Sequence, residues 1–200
     1  LDFLKTIFNK FFWLRKINNE NFTYIQLEDQ LKNTNPCDRF VHFFEYLGGY
    51  FSRCLSEEHI KVALRKILRQ ENLYRAFCCE EELQKILTAL KFKYTEDLND
   101  LGMNDVALIS CECLIAFDGR ILLSYNNIRH FPVSLLPEKI IIVANVSQIE
   151  ENLNNAMMKV KRRGIFRNIT SISGNISELD FPGRKNNKLF LLLVHDYTMK

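Results

Sequence analysis

The side chains able to do chemistry in this chain are scattered, and their spacing excludes more than it assigns. The four histidines are His42, His59, His130 and His195, and none has a metal-ligating residue four positions on, so a helical metal site is not expected. Six cysteines stand at Cys37, Cys54, Cys78, Cys79, Cys111 and Cys113 without a Cys-x-x-Cys pair. That spacing fits neither a zinc ribbon nor an iron–sulfur cluster held by this chain alone, and the thiols read as small buried hydrophobes. Glycine-rich phosphate loops and a Gly-x-Ser-x-Gly elbow are absent from the sequence, which withdraws support from a nucleotide cradle or a serine hydrolase. Glu112 is the acid of most interest, because it interrupts an apolar run between Cys111 and Cys113. A carboxyl there either faces water at a strand edge or is buried with a partner and a raised pKa. Arg120, Arg129, Arg184 and Lys185 fall on expected turns and loops, where guanidinium groups can bind a carboxylate or phosphate. His195-Asp196 follows the final expected strand, at a sheet end of the kind where α/β folds bind ligands.

The balance of the chain narrows the partner classes. It has 27 basic and 24 acidic residues in 200, a net charge of +3, which is too small to call for nucleic acid. The basic cluster Lys159, Lys161, Arg162 and Arg163 reads as the last turn of a helix, where cations complement the dipole. Apolar runs stay strand-sized, the longest being Leu189–Val194, so no membrane span is expected. Reduced cysteines in a chain large enough to build its own core point to a cytoplasmic, reducing setting. The first residues lack a small-residue cleavage site and are not read as a signal peptide.

The elements that must position these residues alternate between helix and strand. Residues 1–17 place Phe3, Leu4, Ile7, Phe8, Phe11, Phe12 and Leu14 at helical spacing among basic residues. This amphipathic helix packs on its own domain or a twin chain, or lies on a membrane surface. With the polar breaker that follows, it sets an N-terminal helical extension over 1–35 and an α/β domain over 36–200. Asp38 is expected to cap a helix stopped by Gly48–Gly49, followed by a strand over Tyr50–Leu55. Ser56 caps a helix running to about Gln70, Leu73–Cys78 is strand-like, and Glu80–Leu90 is helical. Cys111–Phe117 and Ile121–Tyr125 flank Asp118–Gly119–Arg120, which predicts a hairpin with an Asp-Gly turn. Asn126–Pro137 reads as a loop and Lys139–Asn145 as a strand buried on both faces. Ser147-x-x-Glu150 predicts a capping box opening a helix through Arg163. Asn168–Ser173, a Gly174–Gly183 connection and Leu189–Val194 complete the pattern.

Four segments in this order resemble the LUD-domain family, the lactate utilisation protein C-like group. They are Cys111-Glu-Cys-Leu-Ile-Ala-Phe-Asp-Gly-Arg-Ile-Leu-Leu-Ser124, Ser134-Leu-Leu-Pro137, Ile140-Ile-Ile-Val143 and Ser147-Gln-Ile149. Ser173-Gly174 and Asp180 fall where the family has a Gly-Pro-Ser-Arg-Thr-Ala-Asp segment, and Gly183 begins its Gly-Val-His-Gly-Pro segment. The resemblance implies a Rossmann-like three-layer α/β domain with a mixed, mainly parallel sheet, of the glucosamine-6-phosphate deaminase, ribose-5-phosphate isomerase and CoA-transferase type. It also implies an accessory or regulatory role in lactate utilisation beside iron–sulfur partner subunits. The chain departs from the family at Phe117, Asp118 and Arg120 in the hairpin, at Asn175–Glu178, and at Arg184–Asn187, so the scaffold is kept more clearly than the site. A small anionic metabolite, or a partner subunit, is then expected in the hairpin and Gly174–Gly183 region, with Arg120, Arg129, Ser134, Gly174, Asp180 and Arg184 as the binding residues and no cofactor named. Two alternatives stay open. One is an interaction module or homo-oligomer using the Phe-rich helix, and the other is an isomerase or CoA-transferase-like enzyme using Glu112 as base or nucleophile.

Overall fold

The computed structural model describes residues 31, 33–165, 167–173 and 188–195. The expected helix over 1–17 and the Gly174–Gly183 connection lie outside them. The second of the chain's two units, Asn35–Lys200, carries the fold. It begins with α1 (Pro36–Tyr46), whose cap is Asn35 rather than Asp38. The Asn35 side chain accepts from Asp38 N at 3.0 Å and donates to the Asp38 carboxylate at 2.6 Å. Pro36 is therefore the first helical residue, where its missing N–H costs nothing. Gly48, at φ +82°, ends the helix as expected. There follow β1 (Tyr50–Cys54), α2 (Glu57–Gln70), β2 (Arg75–Phe77), α3 (Glu81–Ala89), β3 (Lys93–Thr95) and β4 (Asp105–Ile109). Ser56 does cap α2, accepting from His59 N at 3.2 Å.

The second half contains β5 (Cys113–Ile115), β6 (Arg120–Leu123), α4 (Tyr125–Ile128), β7 (Lys139–Asn145), β8 (Ile149–Glu150), α5 (Leu153–Arg162), β9 (Thr170–Ile172) and β10 (Lys188–Val194). Six strands form one sheet in the order β1-β10-β7-β4-β2-β3, and every pair in it is parallel. The mixed pairing is confined to a second, four-stranded sheet ordered β8-β5-β6-β9. One face of the large sheet packs on α2 and α3 through Leu64, Ile67, Leu83 and Leu87. The other face, including Ile109, Ile142 and Leu191, packs on Phe40 and Phe44 of α1 and on Leu114, Ile121 and Leu123 of the small sheet. The far side of the small sheet is covered by Ala156 and Val160 of α5. A sheet with one flank closed by helices and the other by α1 and a hairpin-based sheet is the α/β arrangement the alternation implied. β7 and β10, buried on both faces, hold the centre, where each fully buried Leu or Ile contributes about 1.5–3 kcal/mol.

Four local expectations change. The hairpin exists, with β5 and β6 antiparallel, but Ile115 pairs with Arg120, so its connection is four residues, 116–119. Only Gly119 has a positive φ there, +68°, and it is buried against α1 while Phe117 beside it stays exposed. A Cβ at Gly119 would lie 2.8 Å from Phe43 C and Phe44 N. The Ser147–Glu150 capping box does not form. Asn145 and Gln148 close a 3-10 turn, Glu150 accepts from Lys159 Nζ at 2.5 Å, and Asn152 caps α5. The stretch expected as an Asn126–Pro137 loop contains the end of α4 and a 3-10 turn, Val133–Leu135. Cys111 and Cys113, two apart in the expected Cys111–Phe117 strand and so expected on one face, do not share it, for Cys111 lies in the connection after β4 and only Cys113 is in β5. Cys111 joins the main core and Cys113 the α5 side of the small sheet.

Candidate functional site

The order of strands places the site. From β2 the chain moves outward to β3, then returns to the other side of β2 with β4. Connections therefore diverge beyond the C-terminal ends of β2 and β4, the topological switch point where open parallel sheets bind ligands. β2 leads into Cys78, Cys79 and Glu80, and β4 leads into Ser110, Cys111 and Glu112.

A continuous polar network fills this point. Glu80 accepts from Ser110 N at 2.7 Å and from the Ser110 hydroxyl, and Asn127 Nδ2 donates to Ser110 Oγ at 2.9 Å. Asn127 Oδ1 accepts from Ser124 N at 2.8 Å, and Ser124 Oγ donates to Glu112 Oε1 at 2.6 Å. Glu112, Ser124 and Asn127 are all buried. Such a chain of bonds holds together only while each member keeps its partner, since an unpaired buried polar group costs more than a bond contributes. Burial raises the Glu80 carboxyl above its usual range, the two bonds from Ser110 pull it back, and the nearby Glu112 raises it further. Glu112 also accepts from Asn126 Nδ2 at 3.4 Å and lies 3.9 Å from Arg163 Nη1. It is buried and partnered: Oε1 takes the two bonds that fasten α4, while Oε2 faces Arg163.

Ser124 and Asn127 form a reciprocal capping box that starts α4, and the turn ends at Arg129. Arg129 has φ +55° and ψ −138°, a conformation normally left to glycine. Three contacts impose it. Its N–H donates to Tyr125 O at 2.7 Å, its carbonyl accepts from Asn168 Nδ2 at 2.9 Å, and Nη2 donates to Cys79 O at 3.2 Å. Beside it opens a cleft of about 560 Å3 lined by Thr95, Glu96, Asp97, Asn99, Tyr125, Arg129, His130 and Phe131. A guanidinium carries five N–H donors, so Arg129 retains donors for a bound group after reaching Cys79. The acids on the rim are partly engaged, Glu96 by Gln84 at 3.0 Å and Asp97 by the Asn99 N–H at 2.9 Å.

Of the residues expected to bind an anion, the three described ones, Arg120, Arg129 and Ser134, are not brought together. Arg120 opens β6 and turns to its own hairpin neighbour Asp118, at 2.7 Å from Nε and 2.5 Å from Nη2. Arg129 follows α4 beyond the other end of that strand, about 10 Å of extended chain away. Ser134 is exposed on the Val133–Leu135 turn and does not line the cleft. Gly174, Asp180 and Arg184 lie outside the described residues. The network residues Glu80, Ser110, Ser124 and Asn127 escaped the sequence reading, although Ser124-x-x-Asn127 directly after an apolar run is a legible capping pattern. The cysteines are free, and all but the half-buried Cys37 are buried. Burial pushes the Cys78 thiol up to about 12 and Cys113 to about 11, so both are protonated and poor nucleophiles. Among the described residues no group of three His, Cys, Asp or Glu side chains is arranged to hold a metal ion, and no helix is long and apolar enough to cross a membrane.

Comparison with known proteins bears on the same region. The family model described as the LUD domain matches residues 57–184, which include β2, β4, α4 and Arg129. A crystal structure of a DUF162-family protein from Deinococcus radiodurans superposes with a TM-score of 0.62 at 18% identity, covering 80% of this chain and 96% of that one. At that identity the likeness shows the fold. No curated protein matches the chain.

Proposed function

The chain belongs to the LUD-domain family, and from that premise we propose that it is an accessory component of lactate utilisation that binds a small hydroxy- or keto-monocarboxylate at the switch point. The observation that carries this reading is Arg129, a cation held in a strained backbone on the wall of a cleft at the ligand-binding end of a parallel sheet. Strain of this kind persists only where surrounding contacts over-determine it, and it clusters at binding sites. The cleft pairs that one guanidinium with two carboxylates, Glu96 and Asp97. A multiply charged ligand such as CoA or a sugar bisphosphate is repelled by such a rim. A single carboxylate can take the Arg129 fork while its hydroxyl or keto group meets the polar wall. Iron–sulfur partner subunits and a cytoplasmic setting belong to the same proposal. Glu112, tied to Ser124 and Asn126, is read as a positioning residue for α4.

The test is ligand-dependent thermal stabilisation with lactate, pyruvate, a phosphosugar and CoA, on the full chain and on Arg129→Gln. Lactate or pyruvate at about 100 times its Kd stabilises the folded state by about 2.7 kcal/mol. The expected result is a rise in Tm with the monocarboxylates that is lost in Arg129→Gln. Silence toward all four compounds at millimolar levels, or an undiminished response in the variant, refutes the assignment.

A further inference from the structure

The opposite end of the large sheet carries a second concave surface, unconnected with the proposed ligand cleft. Two cavities of about 360 and 560 Å3 share Leu73, Tyr74 and Phe92 as common walls and so form one groove. It runs past the N-terminal ends of β2, β3 and β4. Its first part has an apolar floor of Leu68, Leu73, Leu90 and Phe92, with Tyr74 standing 67% exposed beside it. Cations surround that floor: Arg65 and Arg69 on one side, Lys91 and Lys93 on the other. None of these four is in a salt bridge among the described residues. The fifth, Arg75, is in one with Asp105 at 3.1 Å, and Asp105 is the groove's one acid. A chain with a net charge of +3 thus gathers five cations against one carboxylate in a single groove.

The groove ends at β3, an edge strand that pairs with β2 and has no neighbour on its outer side among the described residues. Lysines on an edge strand ordinarily discourage chance pairing. They also select, because a segment carrying carboxylates is attracted where a neutral or basic one is not. An apolar floor, a ring of unpaired cations and an open strand edge are the three parts of a site for an extended polypeptide.

We propose that this groove docks an acidic peptide segment of a partner protein. A Leu or Phe side chain of the segment enters the cavity floored by Leu68 and Phe92, its carboxylates meet Arg69, Lys91 and Lys93, and its backbone lies along β3. Charge complementarity and the apolar floor favour this occupant over nucleic acid, which a surface of cations alone would suit equally.

The experiment is fluorescence anisotropy with the full chain and a labelled peptide of alternating Glu and Leu. A peptide of about eight residues extends roughly 26 Å at about 3.3 Å per residue, longer than the three-residue β3 edge. Arg69→Glu, Lys91→Glu and Lys93→Glu combined should weaken binding at least about tenfold without altering ligand response at the Arg129 cleft. A peptide with Ser in place of Leu, its charge unchanged, should bind at least about tenfold more weakly. Absence of binding at about millimolar protein, or equal affinity for the charge-reversed chain, overturns the proposal. So does a Ser-substituted peptide, a single-stranded oligonucleotide or a phosphatidylserine vesicle that binds as tightly as the Leu-containing peptide.

Discussion

Replacing Asn127 by Ala tests whether the switch-point network holds the cleft together. Asn127 is 2% exposed and makes two hydrogen bonds, accepting from Ser124 N at 2.8 Å and donating to Ser110 Oγ at 2.9 Å. Alanine removes both. Ser124 is fully buried, so its N–H is left without a partner, at a cost of about 1–3 kcal/mol. The lost bond to Ser110 adds about 0.5–1.5 kcal/mol. The expected destabilisation is therefore about 2–4 kcal/mol, a large part of the ~5–15 kcal/mol that holds a typical domain. Urea unfolding should show it as a midpoint lowered by about 1–2 M. Because α4 is a single turn, amide exchange at Asn126 and Arg129 should accelerate more than at Ile141 or Leu191 in the sheet centre. Asn127→Asp is the companion variant. It keeps an oxygen for Ser124 N but sets a carboxylate against Ser110 beside Glu80, so its stability should fall further as pH rises. A loss below about 0.5 kcal/mol for Asn127→Ala, with exchange unchanged, refutes the reasoning.

Three further outcomes are expected. Arg129→Gly should be more stable than Arg129→Ala by about 1–2 kcal/mol in urea unfolding, since both lose the bond to Cys79 and only glycine relaxes the φ +55°, ψ −138° backbone; equal stabilities would show that the backbone is not strained. Glu80 holds its proton in the folded protein at pH values where the unfolded chain has lost it, so its contribution is full below about pH 4.3 and is lost as pH rises through the raised folded value. Glu80→Gln should accordingly lose less stability than the parent across that weakly acidic window, and parallel pH–stability curves would contradict this. Gly119→Ala adds a strained φ of about 1–2 kcal/mol to a 2.8 Å encounter with the α1 backbone; a total loss of at least about 2 kcal/mol is expected by chemical denaturation, and less than 1 kcal/mol would mean the tip is not pinned.

What could be read before the coordinates was whatever depends on near neighbours. β7 falls on Lys139–Asn145 as expected, because seven consecutive residues rich in isoleucine and valine suit a strand buried on both faces. Ser56 with Glu57 and Glu58 marks the start of α2 because capping is settled within one turn. The same local logic failed at Ser147, where Lys159, nine residues beyond Glu150, claims the carboxylate the cap required. It failed at Asp118–Gly119 because the turn answers to α1, more than seventy positions earlier. Of the site, Arg129 and the buried acid Glu112 were legible. Arg129 stood out as a loop cation, but Arg120 was lost to Asp118 two residues away. Nothing in the linear order showed that Glu80 and Ser110, thirty positions apart, would meet across adjacent strands.

β10 lies between β1 and β7, although nine of the described strands precede it. While the ribosome is still making residues 188–194, β1 has no strand beside it among the described residues and β7 shows a bare isoleucine-rich edge. A premature stop anywhere before Lys188 would thus leave two unmatched edges in the middle of the sheet, not one at its margin, and such a truncated product should be a client of chaperones and proteases.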